Sequence, residues 1–375
     1  MKIVLRILPI VLILTLAFLT ILSVGKDAPS EISESPPPEI SVAPSHDVTP
    51  SVSPSPSAEP SPSPSVYDGP ANPLTGLPAA ESIVNNRPYA IMINNSSAAQ
   101  PQLGVSQADI IFEIVVEGGI TRMMALFQDV SDIGDIGSIR SARPYFVRIA
   151  LGYDSIYIHA GGSADAYTVL KSTQILHFDG VNGSKQAIFF RDAERRRNLG
   201  YEHSLLSNGE LIAECLPGYN VRLEHLDGYS NSMTFEPDAA LTGGVTAQNV
   251  KVQFSSSKTT AFAYSEPDNV YYASQFGKAY SDGNNNTQIG VSNLLVLHTS
   301  VSTVSGDTEG RMSVTTTGSG SGTYFCGGYG EPITWSRADI DEPFTFTTTD
   351  GTRLSFCPGK TYICIISNNN STDIS

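Results

Sequence analysis

From Lys26 to Gly69 the chain holds 11 of its 24 prolines, interleaved with serine, glutamate and valine and with no apolar period. Repeats such as Ser53-Pro54-Ser55-Pro56 and Ser61-Pro62-Ser63-Pro64 cannot bury enough surface to offset the entropy of ordering them. Residues 26–69 are therefore predicted to be a disordered stalk, reaching about 130 Å if fully extended as polyproline II. Such a stalk divides the chain. A short N-terminal piece lies on one side, and on the other a body that must build its own core.

The N-terminal piece carries the compartment signal. Lys2 and Arg6 precede an uncharged apolar run from Ile7 to Val24, eighteen residues long. That length lies at the border between a signal-peptide core and a spanning helix. Ser23 and Gly25 offer small residues to a signal peptidase. Both readings export the remainder of the chain, because the positive charge precedes the run. Residues 1–25 are expected to be a signal/anchor helix that holds the protein at the extracytoplasmic face of the membrane, or leaves it secreted if cleaved. The net charge of -15 argues against nucleic acid as a partner. Cys215, Cys326, Cys357 and Cys364 show no CxxC or CxxH spacing, so no metal site is implied. Export permits disulfides, but the four read more simply as small buried hydrophobes.

The body divides by pattern. Tyr89–Asn94, Ala108–Val116, Ile120–Gln128 and Ser155–His159 read as strands. Pro144–Leu151 reads as a helix with proline at its first position, and Ala164–Lys171 as one capped by Ser163. Phe189–Asn198 is weakly helical. Residues 72–216 are thus expected to form an α/β domain. After a junction at 217–242, residues 243–367 give short β-rich runs separated by Gly, Asn, Asp and Pro clusters, which predicts a mainly β sandwich or barrel.

Four constellations carry chemistry. With Gly118-Gly119 as a two-residue hairpin turn, Arg122 falls opposite Val115, and Glu113, Glu117 and Arg122 share one face. The glutamates would then orient the arginine or simply pair with it. In Gly137-Ser-Ile-Arg140-Ser141-Ala142-Arg143-Pro144-Tyr145, two arginines and a hydroxyl meet the free N–H groups of a helix start, a combination that binds phosphate or carboxylate. Arg140, Ser141 and Arg143 are the ligand candidates there, with Tyr145 in support. The third is His159-Ala-Gly161-Gly162-Ser163, a strand end, glycine turn and helix start of the kind that faces a cleft in open α/β sheets. Arg122 and His159 are the catalytic candidates, although a lone histidine is more often structural. The fourth, Arg191 to Arg197, reads as a solvated helix face. Gly359-Lys360-Thr361 lacks the spacing and the following helix of a phosphate loop.

Six stretches of the first region stand out: Asn72-Pro-Leu-Thr-Gly-Leu77, Arg87-Pro-Tyr-Ala-Ile-Met-Ile-Asn-Asn95, Gln100-Pro-Gln-Leu-Gly-Val-Ser-Gln-Ala-Asp109, Glu117-Gly-Gly-Ile-Thr-Arg122, Ile139-Arg-Ser-Ala-Arg-Pro-Tyr-Phe146 and Ile158-His-Ala-Gly-Gly-Ser163. Val250-Lys-Val-Gln-Phe254, Ile333-Thr-Trp335 and Pro358-Gly-Lys-Thr361 follow in the second. Together they resemble the YerB-like lipoprotein family of Gram-positive bacteria. The resemblance implies two domains and a place in the cell envelope, with no known reaction and no cofactor. This chain departs from the pattern in having no lipobox cysteine before Cys215, and in carrying Ser204 after His203 where asparagine is usual. The expected function is binding of an anionic small molecule or envelope precursor in an arginine-lined cleft. The alternative is a phosphotransferase like the LytR-CpsA-Psr enzymes acting on polyprenyl-pyrophosphate-linked precursors, which share the order of arginines and glycines but not the sequence.

Overall fold

A computed structural model describes residues 69–375. The expected anchor and nearly all of the stalk lie outside the described residues. Within them no helix is long and apolar enough to cross a membrane.

The N-terminal region contributes strands β1 (Tyr89–Asn95), β2 (Ile110–Val115), β3 (Thr121–Phe127), β4 (Asp135–Gly137), β5 (Ile156–His159), β6 (His177–Asp179), β7 (Phe189–Arg191) and β8 (Leu205–Asn208). Its helices are α1 (Glu81–Val84), α2 (Pro144–Gly152), α3 (Ala164–Thr173), α4 (Ala193–Asn198) and α5 (Gly209–Cys215). The C-terminal region supplies β9 (Val245–Thr246), β10 (Asn249–Gln253), β11 (Thr259–Ser265), β12 (Val270–Gln275), β13 (Lys278–Ala279), β14 (Gly290–Val291) and β15 (Asn293–Thr299). It continues through β16 (Val301–Thr303), β17 (Met312–Val314), β18 (Gly318–Cys326), β19 (Tyr329–Arg337), β20 (Thr345–Thr348), β21 (Thr361–Ser367) and β22 (Thr372–Ile374).

The two regions, read from the sequence as separate units, share one large sheet in the order β20-β19-β18-β15-β21-β2-β3-β1-β5-β6. The seam is a parallel pair: Ile110–Ile114 of β2 lie beside Thr361–Ile365 of β21. Parallel pairing carries no hairpin signal, and these partners are far apart in sequence. Strands at the seam are buried on both faces and mostly apolar, as covered strands tend to be. One face, including Phe112, Met124 and Ile363, packs against Phe146 and Ile149 of α2, Tyr153 just beyond it, and Leu170 of α3. The other face, including Ile111, Met123 and Tyr362, packs against a six-stranded sheet ordered β13-β12-β11-β10-β22, with β14 beside β12. There β10 alternates exposed and buried residues, because only its inner face is covered. The α/β character of the first region and the mainly β character of the second both hold.

Two local readings change. Phe189–Arg191 is a strand on β8 instead of a helix start. Cys326 and Cys357 form a disulfide instead of packing as thiols, whereas Cys215 and Cys364 are free.

Candidate functional site

The loop joining β2 to β3 has three residues, Glu117-Gly118-Gly119, closed by the Val116 N–H donating to the Ile120 carbonyl at 2.8 Å. The expected two-residue turn would have put Arg122 opposite Val115. Instead Arg122 pairs with Ile114, and Glu113 with Met123. A one-residue slip turns every side chain to the other face. Arg122 therefore stays with Glu117, while Glu113 points through the sheet to the opposite core.

There Glu113 is fully buried in a polar network. It accepts from Thr121 Oγ1 at 2.6 Å, Asn95 Nδ2 at 2.9 Å and Tyr362 Oη at 2.7 Å, and pairs with Lys258 Nζ at 3.2 Å. Its role is to hold the two sheets together. It has no place at the arginines.

The arginines gather at the carboxyl ends of β1 and β5. These strands pair in parallel only as far as Ile91 and Ile158. Beyond that point they part, and residues 138–142 fill the gap. The Arg140 N–H donates to the Met92 carbonyl at 2.9 Å, and the Ala160 N–H donates to the Arg140 carbonyl at 3.0 Å. Ala142 N–H then donates to the Gly161 carbonyl at 2.9 Å, so the segment carrying Ser141 lies alongside Gly161, Gly162 and Ser163. α2 begins directly after this wedge, with Arg143 in extended conformation before Pro144. Ser163 caps α3 as expected, its Oγ accepting from Ala166 N at 3.2 Å.

Glu117 lies between two of the arginines. Arg143 grips its carboxylate with both Nε, at 3.0 Å, and Nη2, while Arg122 Nη2 lies 3.4 Å away. Each guanidinium is also fixed from behind. Arg122 Nη1 donates to the Ser141 carbonyl at 2.8 Å, and Arg143 Nη1 to the Ala142 carbonyl at 2.7 Å. Burial and the charge of Arg143 pull Arg122 down to about 10, against Glu117, with Arg140 adding to the fall. Burial alone would raise Glu117, but the Arg143 hydrogen bond and the charges of Arg122 and Arg143 outweigh it, bringing the carboxyl to about 2. Arg140 pairs with the exposed Glu202 at 3.0 Å, and its Nε is buried without a partner. Tyr145 is anchored through its hydroxyl to the Val115 carbonyl at 2.9 Å.

Three neighbours were missed by sequence reasoning. Tyr157, fully buried, carries a hydroxyl without a hydrogen-bond partner among the described residues, within the field of Arg122 and Arg143. His177 and Asp179 come from β6, a three-residue strand with no pattern of its own. Asp179 accepts from Gly161 N at 2.7 Å and from Tyr167 Oη at 2.6 Å, setting the glycine turn. His159 Nδ1 lies 2.8 Å from the Gly161 carbonyl, which only accepts, so Nδ1 is the donor. Its Nε2 then accepts from His177 Nδ1 at 3.0 Å. Burial dominates and brings His159 down to about 4. With both ring nitrogens engaged, His159 reads as a positioning residue for the glycine turn.

Beside the start of α2 lies a cleft of about 300 Å³, bordered by Tyr145, Arg148, Asp165, Val169 and Met312. Arg311, next to Met312 on the β16–β17 hairpin, is within electrostatic reach of Glu117. A larger cleft of about 470 Å³ includes Asn72, His225 and Asn231, whose polar atoms bond Asp109, Asp154 and the Pro73 carbonyl. The arginine run at 191–197 is partly structural. Arg195 donates to the carbonyls of Ala99, Pro101 and His203 at 2.7, 2.9 and 3.1 Å.

Among characterised sequences, the chain is 28% identical over 308 residues to the Bacillus subtilis (strain 168) protein named "Putative lipoprotein YerB", covering 81% of this chain and 88% of that one. The crystal structure of the YerB protein from Bacillus subtilis is similar with a TM-score of 0.69 and 26% identity, over 81% of this chain and 99% of that chain. Residues 74–220 match the N-terminal domain, and residues 250–363 the C-terminal domain, of the family described as protein of unknown function DUF3048. The chain belongs to that two-domain, YerB-like family.

Proposed function

We propose that this protein works outside the cytoplasm, held at the membrane by its N-terminal segment, and binds an anionic ligand at the arginines beside α2. The lipoprotein name of the Bacillus relative supports the envelope location. So does the Cys326–Cys357 disulfide, since such bonds persist in oxidising compartments. The observation that carries the binding reading is the pair Arg122 and Arg143, 3% and 7% exposed, anchored from behind with their outer nitrogens converging on one carboxylate. Guanidinium forks held this way are preorganised for carboxylate or phosphate.

The phosphotransferase alternative needs a metal-binding carboxylate beside the arginines. Glu113 points to the opposite core, and Asp109 precedes the far end of β2, bonded to Gln128 N and Asn72. Glu117 is engaged by both arginines. Binding is therefore the reading that this geometry favours.

Calorimetric titration with inorganic pyrophosphate tests it. Each charge-assisted contact is worth about 1.5–3 kcal/mol, so Arg143→Ala should weaken binding roughly tenfold to a hundredfold. Arg143→Lys should restore only part of the affinity, since a point charge does not replace a planar fork. Unchanged affinity in Arg143→Ala, with a large drop in melting temperature, would leave Arg143 a structural residue.

A further inference from the structure

We propose that Glu117 is itself the occupant of the anion site in the resting protein, and that the ligand displacing it is a phosphate with at least two negative charges. The proposal rests on the anion-binding reading above and names the ligand class of that site.

The carboxylate and the arginines are mounted differently. Arg122 belongs to a central strand and Arg143 to a helix start, each tied to a backbone carbonyl of the wedge segment. Glu117 sits on a three-residue loop whose Gly118 and Gly119 both have φ near +70° (71° and 72°). A Cβ built on Gly118 would meet nothing within 4 Å, whereas the Gly119 carbonyl accepts from Ser255 Oγ at 2.5 Å, so the loop backbone is pinned on one side and open on the other. The Glu117 side chain is 27% exposed, against 4% and 9% for Arg122 and Arg143. The Glu117 side chain can thus rotate away on a loop backbone that stays put, while the guanidinium forks also stay in place. In the same cluster, the Tyr157 hydroxyl and Arg140 Nε are buried polar atoms with no partner among the described residues, so Glu117 does not satisfy every polar group around the arginines.

Charge decides what can displace it. Arg122, Arg140 and Arg143 pair with Glu117 and Glu202, and Arg311 with Asp307, so among these groups one positive charge is unbalanced while Glu117 is in place, and two once it leaves. A monocarboxylate would exchange like for like, against a tethered competitor whose effective concentration is about millimolar or above. A phosphate dianion matches both charges and offers each guanidinium fork its own pair of oxygens.

The test uses the full chain in detergent at fixed ionic strength, titrated calorimetrically with inorganic pyrophosphate and with acetate. Wild-type protein should bind pyrophosphate and give no heat with acetate. Glu117→Gln should bind pyrophosphate about tenfold tighter or more, and should now bind acetate measurably. Glu117→Asp, one methylene short of reaching both arginines, should fall between and serves if the glutamine variant does not fold. Equal or weaker pyrophosphate binding by both variants overturns the proposal while leaving the anion site standing. Wild-type binding of acetate as tight as pyrophosphate also overturns it. If neither wild type nor variants bind either anion, the anion-binding reading fails with it.

Discussion

His159 makes the stability of this fold depend on pH in a calculable way. Its neutral form is the one built in, since Nδ1 donates to the Gly161 carbonyl and Nε2 accepts from His177. Burial lowers it from 6.5 to about 4. A histidine with a depressed folded value contributes stability that is fully present above its unfolded value, and that is lost as the pH falls toward the folded one. The shift corresponds to about 3 kcal/mol between roughly pH 7 and pH 4. Asp109 works the other way, because burial raises it to about 6 and its contribution declines as the pH rises from 3.8. The absolute slope therefore mixes several groups, and a difference between two proteins isolates one. His159→Gln keeps an N–H for Gly161 and cannot titrate. Urea unfolding at about pH 7 and pH 4 should show the variant less stable at neutral pH, with ~3 kcal/mol less dependence on pH than the wild type. Parallel curves for the two proteins would show that His159 already titrates normally, and the tautomer assigned to it would be wrong.

Glu113→Leu should cost about 3–5 kcal/mol by leaving Lys258 buried and unpaired, and adding Lys258→Met should recover much of it; thermal melts of the three proteins decide. Residues 72–230 expressed alone should fail to give protected amides in hydrogen exchange, because β2 loses β21 from its edge; a protected core would show that the first domain is self-sufficient. A reporter fused after residue 70 should be found outside the cell and membrane-bound. Recovery of the reporter in the medium with a new N-terminus at Lys26 would mean that the apolar run is cleaved.

Local structure was legible wherever a local cause set it. Pro144 and Ser163 opened their helices as their chemistry requires, and the apolar runs of β1, β2, β15 and β21 became strands. The Gly318–Cys326 strand was hidden because its glycines look like turn residues. They are there for clearance: a Cβ on Gly320 would come within 2.6 Å of the His298 carbonyl and the Trp335 ring. The merging of the two regions into one sheet had no local signature, since residues 110–114 meet 361–365 by parallel pairing. At the site, the partnership of Arg122 with Glu117 was readable from their spacing. The exclusion of Glu113 was not, because it hangs on one residue of loop length. His177, Asp179 and Tyr157 entered through tertiary packing alone.

The position of β21 bears on how such a chain can mature. Synthesis delivers residues in order, and β2 and β3 emerge long before Thr361–Ser367. Until those seven residues arrive, Ile110–Val115 presents an unpaired, mostly apolar edge that is wholly covered in the finished sheet, a combination prone to non-native pairing. The last strand to appear at the centre of the sheet completes it, so closure is a late event of high contact order and slow on that account. A chain still being delivered therefore passes through an open, adhesive stage whose length is set by how fast the rest of it arrives, and any factor that shields strand edges during that interval governs how much of it reaches the native state.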